Sequence, residues 1–446
     1  MKKCIPALLI CLLAGLLAGC GTDGPASSGM APGTDLVSGV EMPALENSKV
    51  TILLNVEKDT VAASDTEDEP SAMNRTFQKW EAEYGTAVEV QAVEWDSFTS
   101  HLATAAAADQ MPDVVYGGPL WFPRWPANNL VQPLDDYSDY IDLNDPMWNR
   151  EIMDQLMVDG KHYVAFGQRP EKFYIAFNQT KFEQAGETTP LEHFQAGTWN
   201  WTQFVKTAQN MTDAANDEFG FNSWNLGYGN CIYPLLTWGD DGKLQVSIRD
   251  NNTVRWLTEV SNLYRSGAAR VEDMGNWLQT FPAGKDAMVS CTPEEYVRFR
   301  QRINSTGGDQ LGIAPMPVFD PTGETESICT ANVYGFSIAS KAPNPQGAAA
   351  FIDLYYKNWN AVIGKMGEFG LMEKYLTEDE REALLAVDDV PVVLDFTNGI
   401  GNNKTILEQA LDGINNPNST KSVQAFVDEA APLLEAELNE FYRSLG

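Results

Sequence analysis

The sequence predicts an α/β protein built as two units, on three observations. From Lys49 onward, short apolar runs alternate with amphipathic stretches in the order strand, helix, strand, helix, strand. That order is the pattern of a parallel sheet with helices on its faces. The chain has 446 residues, and one hydrophobic core stops growing at roughly 250–300 residues, so two cores are expected. With 43% apolar and 11% aromatic residues and a mean hydropathy of -0.28, the chain is neither disordered throughout nor a polytopic membrane protein.

The N-terminus reads as an address. Lys2 and Lys3 precede the apolar run Ile5 to Leu17, which ends in Leu17-Ala18-Gly19-Cys20, a small-residue cleavage site directly before a cysteine. The run falls short of the ~20 apolar residues of a spanning helix, and Leu-Ala-Gly-Cys matches the bacterial lipobox. Cys20 is therefore expected to become the acylated first residue of the mature chain, tying it to a membrane without spanning it. Residues 21 to 48, rich in Gly, Ser, Pro and Thr, have the composition of a flexible tether. Loss of residues 1 to 19 leaves 28 basic against 62 acidic residues, a balance of -34, and three cysteines besides the lipidated one: Cys231, Cys291 and Cys329. No Cys-x-x-Cys occurs; buried reduced thiols are expected, with one disulfide plus a free thiol as the alternative.

The elements follow from local patterns. Val50 to Leu54 is a buried-strand run; Glu57 to Pro70 carries six acids and one lysine, of which Asp65 to Glu69 reads as a solvated loop, with a calcium site as the alternative although EF-hand spacing is absent. A helix begins near Ser71, with Met73, Phe77, Trp80 and Tyr84 at helical spacing and Gly85 as its stop. Val88, Val90 and Ala92 alternate as a strand. Asp96 is placed to cap a helix carrying Phe98, Leu102 and Ala105, and Asp113 to Tyr116 forms a third strand ending in Gly117-Gly118. In such sheets ligands bind beyond the carboxyl ends of strands, here Glu57 to Thr60 and Gly117 to Trp121. Further on, Asn200 with Gln203 makes a capping box, Thr253 to Tyr264 is amphipathic, and Leu311 to Ala314 is a strand stopped by Pro315 and Pro317. Asn332 to Ala339 is strand-like, Gln346 to Lys357 helical, and Ser422 to Leu445 a closing helix bent at Pro432.

Chemistry-bearing motifs are absent. No Gly-x-Ser-x-Gly, His-Glu-x-x-His or phosphate-binding Gly-x-x-x-x-Gly-Lys-Ser/Thr occurs, and His101, His162 and His193 fit no metal spacing. Neither a metal nor a cofactor is expected. The net charge of -32 disfavours nucleic acid, which requires clustered Lys and Arg. Tryptophan is abundant instead: Trp95, Trp121, Trp125, Trp199, Trp201, Trp224, Trp238, Trp277 and Trp359 are spread along the mature chain. Most are expected in cores; a few beside carboxylates and amides suit a sugar, whose C–H faces stack on an indole.

In order along the chain stand Met111-Pro112-Asp113-Val114-Val115, Asn129-Leu130-Val131-Gln132-Pro133-Leu134, Asp159-Gly160-Lys161-His162-Tyr163, and Phe177-Asn178 with Phe182 and Ala185-Gly186. Asn200-Trp201-Thr202-Gln203-Phe204, Phe281-x-x-Gly284-Lys285-x-Ala287-Met288 and Ala349-Ala350-Phe351-Ile352 follow. Together with the lipobox these resemble the extracellular solute-binding proteins of bacterial ABC importers, of the maltose- and oligosaccharide-binding type. The resemblance implies the type II periplasmic-binding-protein-like fold: two α/β lobes joined by crossover strands, with a ligand cleft that closes on binding. Lobe one would comprise 49–164 with 325–367 and lobe two 168–320 with 370–446, with crossovers at Val164 to Gln168 and Pro315 to Asp320. It also implies a non-enzymatic, monomeric receptor at the outer face of the cell membrane, handing a carbohydrate to permease subunits. A receptor for a peptide or other small solute, or a surface-anchored glycan hydrolase, are the alternatives.

Site residues carried over from the resemblance are Glu57 and Lys58 after the first strand, Trp121, Glu171 six residues before Phe177, and Tyr228 and Asn230 before Pro234. Glu294 stands where the maltose-binding type has a stacking tryptophan, a departure from that type's pattern. Trp238 joins them as a ligand-binding aromatic.

Overall fold

The computed structural model describes residues 41–55, 71–94, 97–117, 121–223, 233–239, 241–270, 277–306, 308–319, 329–331, 333–366 and 369–445. The chain divides into two compact units, Met1–Arg169 with Tyr334–Glu368, and Pro170–Val333 with Phe369–Gly446.

The first unit is organised by a five-stranded sheet in the order Glu89–Ala92, Thr51–Leu54, Val114–Gly117, Gly335–Ala339, Val131–Gln132. The first three strands are parallel, with Ile52 opposite both Val90 and Val114, and Gly335–Ala339 is antiparallel to both its neighbours. The crossover helix Ala72–Tyr84 starts where Ser71 Oγ accepts the Asn74 N–H and ends at Gly85, whose φ of 66° suits glycine. Met73, Phe77 and Trp80 form its buried stripe, and the Pro345–Met366 helix packs against it. Asp113 anchors the sheet's end: it is 2% exposed, and its carboxylate accepts N–H groups from Thr51 (2.8 Å) and Asn344 (2.6 Å).

Two expectations in this unit are corrected. The Phe98–Ala108 helix has Ser97 at its N-cap position, without a side-chain cap bond; Asp96 lies outside the described residues. The late helix runs on from Lys357 to Met366, because buried Asn358 continues the inward face and donates to Thr76 Oγ1 at 3.0 Å. A polar residue on the packed face had masked the period.

The second unit holds a four-stranded sheet, Leu311–Pro315, Tyr174–Asn178, Asp286–Cys291, Phe219–Asn222. Tyr174–Asn178 pairs antiparallel with both neighbours, while Phe219–Asn222 lies parallel to Asp286–Cys291. Both central strands are buried throughout, since helices cover both faces. Alternation divides them: Ile175, Phe177 and Met288 join Trp199, Trp201, Phe204 and Trp256 on one side, and Tyr174, Ala176, Val289 and Cys291 join Tyr296, Phe299 and Leu384 on the other. Gly220 lets the Trp201–Asn210 helix approach, because a Cβ there would lie 1.8 Å from the Ala208 carbonyl oxygen.

Asn200 caps that helix through the Gln203 N–H at 3.1 Å, but the box is half made. The Gln203 amide turns to His193 and Thr207 instead. Complete boxes stand at Thr189–Glu192 and Thr377–Glu380. Val423–Leu445 is one helix with Pro432 inside it.

The crossover expectations also shift. Ala165 exchanges backbone hydrogen bonds with Phe336, so Val164 to Gln168 belongs to the first unit and the division falls after Arg169. Pro315 to Phe319 belongs wholly to the second unit: Trp199 Nε1 donates to the Pro315 carbonyl at 2.8 Å and Trp201 N–H to Val318 at 2.9 Å. The return to the first unit comes at Val333/Tyr334. Cys291 is a buried thiol whose pKa is driven up by burial; Cys231 and the acidic 57–70 segment lie outside the described residues.

Candidate ligand site

In the first unit the structure describes one expected site residue, Trp121; Glu57 and Lys58 lie outside the described residues. Trp121 follows the carboxyl end of Val114–Gly117 and is half-buried. Its ring lies parallel to that of Trp125, with centroids 4.9 Å apart and planes 4° apart, and stacks on Phe98 at 5.4 Å and 16°. Trp125 is in turn fixed by its Nε1 donating to Thr99 Oγ1 at 3.2 Å. Gly117 makes the stack possible: a Cβ there would stand 2.7 Å from the Trp125 ring and 3.0 Å from that of Trp121. The result is an indole held against two other aromatic rings, an apolar platform at a strand end.

In the second unit Glu171 lies within electrostatic reach of Glu294, with Glu295 as a third carboxylate. Glu294 and Glu295 open the Pro293–Thr306 helix, which follows Asp286–Cys291 directly. Glu295 Oε2 accepts the Thr292 N–H at 2.8 Å while Thr292 Oγ1 receives the Glu295 N–H at 3.4 Å, a reciprocal cap. Glu294 pairs with Arg298 one turn on, at 2.6 Å. Glu171 is half-buried, and burial, then the charges of Glu294 and Glu295, push its carboxyl well above the ordinary range against the pull of Arg298. Burial likewise raises Glu295 to about 7, opposed mainly by the Thr292 N–H. A carboxyl poised between its two states both donates and accepts hydrogen bonds, which is what hydroxyl groups require.

Sequence reasoning missed Glu295, although Thr292-x-x-Glu295 is a legible capping box. Tyr228 and Asn230 lie outside the described residues. Trp238 is half-buried in the short strand Leu236–Trp238, opposite Leu244, and packs on buried Phe396 with ring centroids 5.7 Å apart. Of the other tryptophans, Trp125, Trp199 and Trp201 are core residues. Buried His162 lies between Asp135 and Asp154 at 3.1 and 3.4 Å. Among the described residues no cluster of His, Cys, Asp or Glu has the arrangement of a metal site, and no helix is long and apolar enough to cross a membrane.

The chain thus has two mixed α/β units, each built on its own sheet. The match to the family model for bacterial extracellular solute-binding protein runs over residues 63–361, and the chain belongs to that family. No curated protein sequence matches it. Among solved structures it is similar to the galacto-N-biose-/lacto-N-biose I-binding protein of an ABC transporter from Bifidobacterium longum, in complex with lacto-N-biose, at 14% identity and a TM-score of 0.65. That match covers 88% of this chain and 98% of the other. The sugar-binding protein MalE from Xanthomonas citri matches at 17% identity and a TM-score of 0.65, with the same coverage. UgpB from Mycobacterium tuberculosis, in complex with glycerophosphocholine, matches at 13% identity and a TM-score of 0.65, again over 88% and 98%.

Proposed function

We propose that this chain is the substrate-binding subunit of an ABC importer, capturing a sugar or oligosaccharide and delivering it to permease subunits. Residues 1–19 act as a signal and 20–48 as a tether, with Cys20 lipidated at the outer face of the membrane. The family match over residues 63–361 is the observation that carries the reading, and a lacto-N-biose complex and a sugar-binding protein among the structural neighbours support the ligand class. Trp121 and Trp238 offer indole faces to sugar C–H groups, and Glu171 with Glu294 offers hydrogen bonds to hydroxyls. The chain acts by binding, as a monomer, and without a cofactor.

The test is a thermal-shift screen of the mature chain against mono- and oligosaccharides, amino acids, polyamines and glycerophosphodiesters. Ligand at 100 times its Kd should add about 2.7 kcal/mol of stability. Stabilisation by non-sugars alone would overturn the carbohydrate reading, and release of products from glycans would overturn the receptor reading. A second reading, a cationic or zwitterionic small solute, is favoured by the gathering of Glu171, Glu294 and Glu295 and by the glycerophosphocholine complex of one neighbour.

A further inference from the structure

The second unit contains a half-buried carboxylate that the proposed function does not use. Asp395 accepts the backbone N–H groups of Leu235, of Leu236 at 3.3 Å and of Thr397 at 2.9 Å. The Phe396 N–H beside it donates to the Leu236 carbonyl at 2.8 Å. One side chain thus joins two segments that are remote in sequence. Among the described residues Leu236–Trp238 pairs with Leu244–Val246 alone, in a sheet of two strands, and a two-stranded ribbon is marginally stable by itself. Its position has to come from ties to the rest of the unit. Those ties include Asp395, the Phe396–Leu236 bond and the Leu244 N–H on the Tyr442 hydroxyl at 2.6 Å, beside the packing of Leu235 and Val246 on the core.

The tie has a direction. Leu236 and Trp238 share one face of their strand. Leu236 is 2% exposed and Phe396 fully buried, so Trp238 rests one side on a fixed ring while remaining half-exposed. We infer that Asp395 is a positioning residue that sets the Trp238 ring for solute. The inference rests on the proposed role of Trp238 in binding. A carboxylate is required because three N–H groups need acceptors, and an asparagine offers one acceptor oxygen where aspartate offers two.

The experiment uses the full mature chain labelled with 5-fluorotryptophan, the Trp238 resonance being assigned through Trp238→Phe. Asp395→Asn should move or split that resonance while the other indoles keep theirs, and should weaken binding of the best solute from the screen at least about tenfold. Asp286→Asn is the control: Asp286 is a fully buried carboxylate of the same unit, bonded to Arg270 and Asn222, and its loss should lower the melting temperature without moving the Trp238 resonance. An unchanged Trp238 resonance in Asp395→Asn, or an equal shift in the control, overturns the inference. Should Asp395→Asn fail to fold, hydrogen exchange in the wild type decides: the Leu235, Leu236 and Thr397 amides should be slow, and fast exchange overturns it. If no sugar binds the wild type, the carbohydrate reading fails while the fluorine spectra still decide the placement.

Discussion

Replacing Glu295 with glutamine should remove a pH dependence from the stability of the second unit. The folded chain raises this carboxyl from 4.5 to about 7, chiefly through burial. The folded state therefore holds the proton over a range in which the unfolded chain has released it. Where the native state binds more protons, stability falls as pH rises. Below the unfolded value both states are protonated and nothing is lost; between it and about 7 the loss accumulates; above that it is complete. At about 1.4 kcal/mol per unit, the shift corresponds to a loss of about 3 kcal/mol across the window. Glutamine keeps an acceptor oxygen for the Thr292 N–H and has no proton to lose. The assay is urea denaturation of wild type and Glu295→Gln from pH 4.5 to 8.5, following far-ultraviolet circular dichroism. The variant should gain on the wild type by up to about 3 kcal/mol between the ends of that range. A difference that stays flat, or one in which the wild type gains as pH rises, would refute the reasoning.

Three further outcomes follow from particular contacts. Asp286→Ala should cost about 3–5 kcal/mol, read as a fall in melting temperature, because Arg270, 4% exposed, would lose the buried carboxylate 2.7 Å away and keep the exposed Asp217 as an ionic partner. Gly220→Ala should destabilise by about 1–3 kcal/mol or more in chemical denaturation, since the new Cβ lies 1.8 Å from a backbone oxygen that cannot retreat. Trp121→Ala should weaken sugar binding about tenfold by calorimetry while the unit stays folded, as Trp125 and Phe98 remain in their cluster; unchanged affinity would remove Trp121 from the site.

What was legible in the sequence was what neighbouring residues decide among themselves. Ser71 and Gly85 bracket a helix because a hydroxyl cap and a left-handed stop act within one turn. The strands Thr51–Leu54 and Val114–Gly117 could be read because buried parallel strands are continuous apolar runs. Distant partners are not written locally. Asn358 looks like the end of a helix until Thr76 is seen beside it, and Pro315 to Phe319 looks like a linker until Trp199 and Trp201 are found along it. Gln203 had the spacing of a capping box, but its amide found His193 and Thr207. The site divides in the same way. Glu171 and Glu294 came from a resemblance, not from spacing, and their proximity became visible only in the folded unit. Asp395 has no local signature, because its partners Leu235 and Leu236 belong to a remote segment.

The three carboxylates can also separate the two readings of the ligand. Glu294 is compensated by Arg298. Glu295 is engaged with the Thr292 N–H at the start of a helix, where the backbone dipole favours negative charge. For Glu171, burial and then the charges of Glu294 and Glu295 hold the carboxyl well above its ordinary value against the pull of Arg298. A neutral sugar can take a hydrogen bond from the protonated acid and leave the proton where it is. A cationic solute would stabilise the ionised form, lower the pKa and drive the proton into solvent. Calorimetric titrations over a series of pH values, each in two buffers of different ionisation enthalpy, read this directly. Equal apparent enthalpies are expected for a carbohydrate, whereas a slope showing proton release, abolished in Glu171→Gln, would move the ligand assignment to a cation.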